Sequence, residues 1–207
     1  GIHSANRHDG GHIVATAVDH PAVLAACRAT QRTGGELTLV GVDAQGRPDP
    51  HAMAAAIRDD TVLVSMPHAQ AEIGTVLDVA TIIAAIRRRA PQVAIHVDAG
   101  ASAGLVPIDV QAWGCDALSF GGGSLFGPRW SGGLWVRQGT RLHPLLDGGL
   151  QEAGKRAGAH DMPGIVGLGA AAAIARAERA ERAQRMSAGA ARLIDAFLRV
   201  GGVRLSG

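Results

Sequence analysis

Ser119 to Trp130 read "SFGGGSLFGPRW": three consecutive glycines, a serine and a Gly-Pro behind a short apolar run. Glycines so placed can cradle a phosphate, form a tight turn, or mark a site whose reactive residue is gone. A dinucleotide fingerprint would need a third glycine at 126 and a helix behind it. Phe126 stands there, and Pro128 with Gly132 and Gly133 argues against the helix. Gly149 to Arg156, "GLQEAGKR", has the spacing of a phosphate-binding P-loop, but Arg156 replaces the Ser or Thr that would hold magnesium. No strand runs directly into it. His96 and Asp98 alternate on a strand and share one face, yet no third ligand is suggested, so no metal site is expected. Lys155 is the only lysine in the chain and lies in a polar, glycine-rich stretch. Cys27 falls in a helix among alanines and Cys115 precedes an apolar strand, so both read as small core residues.

The elements that must position these residues alternate in type. Strands are expected near 12–18, 37–42, 61–66, 93–98, 116–120 and 132–137. "TVLVSM" (61–66) has no polar alternation, as a strand buried on both faces should. Between the strands lie helical patterns. In "DHPAVLAACRATQRTGG" Pro21 suits the first turn and Gly34 the C-terminal stop. "PHAMAAAIRDD" is a short helix and "DVATIIAAIRRRA" a longer one, whose Arg87 to Arg89 read as a solvated helix end suited to the dipole. From Pro163 to about Val200 the pattern is helical, with an interruption expected near Ser187-Ala188-Gly189. "GVRL" at 202–205 reads as a strand cut short. Strand–helix alternation implies an α/β fold, a mainly parallel sheet with helices on both faces. Ligands collect at the carboxyl ends of such strands, which is where 67–75, 97–104 and 119–127 fall.

Composition bounds the partners. At 207 residues and 47% hydrophobic, the chain can bury a sizeable core. A net charge of +2 with no basic block gives no case for nucleic acid or an anionic membrane. Two cysteines exclude a disulfide framework and suit a reducing compartment, so cytoplasm is the expected location. The longest apolar runs are too short and alanine-rich to span a bilayer.

Five stretches together carry a resemblance: "HIVATAVDHPAVL", "AAAIRDDTVLVSMPHAQAEIGT", "IHVDAGASAGLVPIDV", "GCDALSFGGGSLFGPRW" and "GIVGLGAAAAIA". In order and spacing the chain is similar to the cysteine desulfurases, class V aminotransferase-type enzymes that use pyridoxal phosphate (PLP). The resemblance implies most of the large domain of the PLP-dependent transferase fold type I over 1–200, incomplete at its N-terminus, with the 132–137 strand antiparallel. Residues 201–207 would start a truncated small C-terminal domain. In that family a lysine forms a Schiff base with PLP, an acid pairs with the ring nitrogen, and a mobile cysteine accepts sulfur.

Carried over residue by residue, the family pattern survives at His20, which would stack on the ring, and at Asp98, which would pair with its nitrogen. Local readings exist for both: a helix N-terminal residue, and a strand-end carboxylate satisfied by turn amides. Elsewhere it fails. Ser124 occupies the Schiff-base lysine position, Gly123 that of its histidine and Gly121 that of a phosphate-binding serine. Gln70-Ala71-Glu72 replaces Asn-Asn-Glu, Ala101 replaces a glutamine, and Ala159 a threonine that reaches phosphate across the family's dimer interface. Gly127 and Pro128 remain as scaffold. The resemblance puts the phosphate loop before Gly1 and the sulfur-accepting cysteine after Gly207. Covalent PLP binding is therefore not expected. The expectation is a non-catalytic homodimer, or a heterodimer with an intact relative. Two alternatives stay open: an active enzyme with a displaced lysine or a non-covalently held cofactor, and a truncated, decaying copy.

Overall fold

The computed structural model describes residues 1–6 and 11–206. The chain runs α1 (Ile2–Asn6), β1 (His12–Thr16), α2 (Pro21–Gln31), β2 (Glu36–Val40), α3 (Pro50–Ala55), β3 (Thr61–Pro67), α4 (Val79–Arg89) and β4 (Ala94–Asp98). It continues through α5 (Val110–Trp113), β5 (Ala117–Gly121), a 3-10 turn (Gly122–Leu125), β6 (Gly132–Val136), α6 (Gln151–Gly154) and α7 (Met162–Leu198).

Six strands form one sheet in the order β2-β1-β3-β4-β5-β6, parallel except for β6 against β5. The strands lie where the apolar runs predict, and the antiparallel edge is the one the family resemblance implies. Val14, Val64, Met66, Ile95 and Val97 are buried in the centre, and Ile82, Ile83 and Ile86 of α4 close over them. Ile13, Ala15 and Cys27 form a smaller cluster between β1 and α2. Local signals set the helix starts: Asp78 accepts from the amide and hydroxyl of Thr81, and Asp49 caps α3 ahead of Pro50. Gly34 has a φ of 83°, the left-handed turn expected after α2.

Three expectations are corrected. The long C-terminal helix is not interrupted at Ser187–Gly189: α7 runs 37 residues without a break. One glycine costs a helix only about 1 kcal/mol. Ion pairs one turn apart on either side, Glu178–Arg182, Glu181–Arg185 and Asp195–Arg199, offset it. "GVRL" forms no strand, because none of the described strands pairs with it. Arg87 is not solvated like Arg88 and Arg89. It turns inward to bond Asp116, which also accepts from the Ile95 amide and faces Arg137. That clamp ties α4 to the amino ends of β4 and β5 and lines a cavity of about 580 Å3 there, at the far end of the sheet from the glycine stretch.

Candidate functional site

β1 is flanked by β2 on one side and β3 on the other, so its carboxyl end is a switch point of the sheet. A cleft of about 340 Å3 opens there, at the ends of β1, β3 and β4. His20 and Pro21 of the β1–α2 turn, Pro67 and Gln70 to Glu72 after β3, and Asp98, Gly100 and Ala101 after β4 line it. The two sequence-predicted residues, His20 and Asp98, thus face one space.

Their positions have local causes. His20 is the N-cap of α2, its Nδ1 accepting from the Ala22 amide at 3.2 Å. The local reading and the site reading of His20 therefore coexist. Asp98 ends β4, where its Oδ1 accepts from the Gly100 amide at 3.0 Å and the Ser119 hydroxyl at 3.1 Å. Its Oδ2 takes no bond from the described residues, which leaves one carboxylate oxygen for the cleft.

Asp19 is a neighbour that residue type alone did not bring forward. It is 4% exposed, and its Oδ2 accepts from the Thr16 amide and hydroxyl. Its Oδ1 is the one buried side-chain oxygen without a partner among the described residues. Burial pushes this carboxyl up to about 6, opposed by the Thr16 hydrogen bonds and assisted by the Asp98 charge. A carboxylate directly before the site histidine was the available signal.

The glycine stretch forms the next corner. Ser124, which the resemblance aligns with the family lysine, lies in the 3-10 turn and donates to the Gly121 carbonyl at 2.7 Å. It does not line the cleft. Phe126 closes the turn with a φ of 60°. A Cβ placed on Gly121 would meet nothing, and one on Gly123 only Arg129 Cγ at 3.9 Å. On Gly122 it would run into the Pro128 carbonyl and the Ser131 hydroxyl. Gly121 and Gly123, which the resemblance aligns with a serine and a histidine, leave open space at those positions. Gly127 keeps a packing role, because a Cβ there would come within 2.8 Å of Ala171 on α7.

The remaining candidates are occupied elsewhere. Gln70 turns its Oε1 back to the Glu72 and Ile73 amides, so its side chain holds its own loop. Arg156 donates to the carbonyls of Ala157, Gly158 and Ala159, and Glu152 and Ala153 just before it are left-handed, so "GLQEAGKR" is a folded-back loop and no phosphate cradle. Lys155 is exposed and outside the cleft lining. Cys27 and Cys115 are buried, and burial pushes each thiol up to about 11. Among the described residues no three His, Cys, Asp or Glu gather to hold a metal, and no helix is long and apolar enough to cross a membrane.

The mostly parallel sheet with a site at the β1/β3 switch is that of the PLP-dependent fold type I. The family model for aminotransferase class V matches residues 2–207, and the chain belongs to that family. It is 40% identical over 207 residues to the cysteine desulfurase IscS of Methanosarcina thermophila, covering 100% of this chain and 51% of the relative. It is 39% identical over 195 residues to cysteine desulfurase IscS 1 of Archaeoglobus fulgidus, 94% of this chain and 50% of the relative. A solved NifS-like protein superposes with a TM-score of 0.94 at 28% identity, over 100% of this chain and 56% of that one. DndA from Streptomyces lividans gives 0.74 at 31% identity, over 82% and 49%. The chain spans about half the length of the curated relatives it matches.

The cofactor of this family can be tested against these residues. Asp98, with one free carboxylate oxygen, fits a protonated ring nitrogen, and His20 at the rim fits a stacking partner. Nothing in the cleft fits a covalent link: the lining holds no lysine, and a hydroxyl such as that of Ser124 forms no imine. The residues fit the ring and do not fit its attachment.

Proposed function

We propose that this chain is a non-catalytic member of the cysteine desulfurase-like class V group, retaining a ring-sized recognition cleft and acting through binding. Its partner is a second copy or an intact relative with which it dimerises. The carrying observation is a cleft lining without lysine, the only lysine, Lys155, being exposed outside it; Ser124, which the resemblance aligns with the Schiff-base lysine, gives its hydroxyl to the Gly121 carbonyl. The substitutions also fall on cofactor contacts while caps, strand cores and turn glycines are intact, which argues against undirected decay. The test is titration of the purified protein with PLP, with borohydride reduction and peptide mass mapping. The expected result is no imine absorbance and no reduced adduct. An adduct on Lys155 would replace this reading with that of an active enzyme using a displaced lysine.

A further inference from the structure

Asp98 is the end of a longer polar chain. His96 and Asp98 lie two residues apart on β4 and so face one side of the sheet. Across the register, Ser65 of β3 stands beside His96 and Ser119 of β5 beside Asp98. Ser65 Oγ lies 2.9 Å from His96 Nδ1, and His96 Nε2 lies 2.9 Å from Ser119 Oγ. Ser119 Oγ then donates to Asp98 Oδ1 at 3.1 Å.

Proton counting fixes the direction. A hydroxyl has one proton to give, and Ser119 gives its own to a carboxylate, which when ionised only accepts. His96 Nε2 must then be the donor to Ser119. A neutral imidazole with its proton on Nε2 has an acceptor at Nδ1, so Ser65 must donate there. Burial lowers His96 from the ordinary imidazole range, against the opposing pull of Asp98, and this favours the neutral ring the counting requires. With the Gly100 amide also on Oδ1, both bonds hold one oxygen and turn the other to the cleft. His12 is the contrast: it bridges Thr61 and Thr38 at 2.8 Å each, but neither threonine bonds a carboxylate, so nothing sets its direction.

We infer that Ser65, His96 and Ser119 form a one-way hydrogen-bond wire that fixes Asp98 with one carboxylate oxygen aimed into the cleft, so that any preference of the Asp98 contact for a protonated ring nitrogen over a neutral ring depends on His96 and Ser119. His96 and Ser119 are positioning residues, acting through Asp98. The ligand half of this inference rests on the ring-recognition reading above, whereas the wire does not.

The experiment has two arms on the full chain. In the first, nitrogen-15 NMR of labelled histidines reports the tautomer. His96 should be neutral with its proton on Nε2 at neutral pH. Ser119→Ala should move the proton to Nδ1, and Ser119→Thr should restore it. A wild-type His96 protonated on Nδ1, or charged at neutral pH, overturns the wire. In the second arm, calorimetry compares pyridoxamine with its 1-deaza analogue, which has carbon in place of the ring nitrogen. A lost hydrogen bond to a charged group corresponds to about tenfold or more in affinity. Wild type should thus prefer pyridoxamine by about tenfold, Ser119→Ala should lose most of that preference, and Ser119→Thr should regain it. Equal binding of the two probes by wild type overturns the selectivity. If neither probe binds, the ring-recognition reading falls together with the ligand half, while the first arm still decides the wire.

Discussion

The β1 and β4 side of the cleft and the 3-10 side have had opposite fates. On the first, polar groups keep unused capacity: Asp98 has a free oxygen, His20 lines the rim, and Asp19, buried directly before it, holds an unpartnered Oδ1. On the second, polar groups are consumed internally. Ser124 bonds its own turn, Gly122 and Gly127 serve packing, and Gly121 and Gly123 stand open. Both sides keep the backbone that the family fold requires. The difference teaches that the scaffold of a site and its polar groups are separable, since the 3-10 side keeps its backbone and offers no side chain to the cleft lining.

The sharpest way to break that comparison is at the glycines. Gly122→Ala pushes a methyl onto the Ser131 hydroxyl and the carbonyls of Pro128 and Ser131, and the two carbonyls are backbone atoms that cannot swing away. A loss of about 3 kcal/mol is expected, the upper end for overpacking a closed site. Gly123→Ala, one residue on, has open space and should stay within about 0.5 kcal/mol. Urea denaturation of the two variants measures both. Equal costs would mean that the turn is not held as described, and the distinction between packing and vacated positions would collapse.

The next effect belongs to the other side and depends on pH. The folded-state value of Asp19, about 6, lies above the roughly 4 of an unfolded aspartate. Between those values the folded chain binds more protons than the unfolded one, so the Asp19 contribution to stability falls as pH rises through that window. The loss is at most about 3 kcal/mol. Asp19→Asn cannot titrate and should lack this component. The difference in unfolding free energy between wild type and Asp19→Asn is therefore expected to change across the window and to level off on either side. A constant difference would mean that Asp19 is solvated.

How much of this could be read in advance differs by element. The strands were legible because runs such as Val62 to Met66 are mostly apolar and show no polar alternation, as a strand covered on both faces should. His20 and Asp98 were legible through the family pattern, and their convergence follows from lying at carboxyl ends of nearby parallel strands. The inward turn of Arg87 was not, because its partner Asp116 lies 29 residues away and a local dipole argument cannot see it. The Ser65–His96–Ser119 wire was hidden for the same reason: cross-strand register brings three ordinary residues into line. The unbroken α7 was missed because a glycine–serine stop signal was given too much weight against ion pairs one turn apart.

A smaller effect separates the two roles of His20. His20→Ala removes the cap on the Ala22 amide and should cost about 1 kcal/mol of stability. His20→Asn keeps a side-chain acceptor and should stay close to wild type in stability, yet it loses the aromatic face. Pyridoxamine affinity should fall severalfold in both variants. Unchanged affinity in His20→Asn would reduce His20 to a helix cap and leave Asp98 as the sole ring contact.

The smallest expected effect is the most telling about the 3-10 side: Ser124→Lys should yield no cysteine desulfurase turnover. The lysine restores one group only. The ring amide would still be absent at Ala71, the glutamine at Ala101, the phosphate serine at Gly121 and the threonine at Ala159. Each lost hydrogen bond to a charged group is worth roughly 1.5–3 kcal/mol. Several together weaken cofactor binding by orders of magnitude, at about 1.4 kcal/mol for each tenfold. Neither cysteine of these 207 residues suits as sulfur acceptor, since Cys27 and Cys115 are buried and burial pushes their thiols up to about 11, far from the thiolate that must attack. The new side chain must moreover leave the place where the Ser124 hydroxyl meets the Gly121 carbonyl, and reach a cleft whose lining does not include residue 124. The measurement is alanine and persulfide release from cysteine by the variant with excess PLP, against free PLP alone. Release above that background would mean that the 3-10 side retains far more of its chemistry than its packing indicates, and the non-catalytic reading would fall with it.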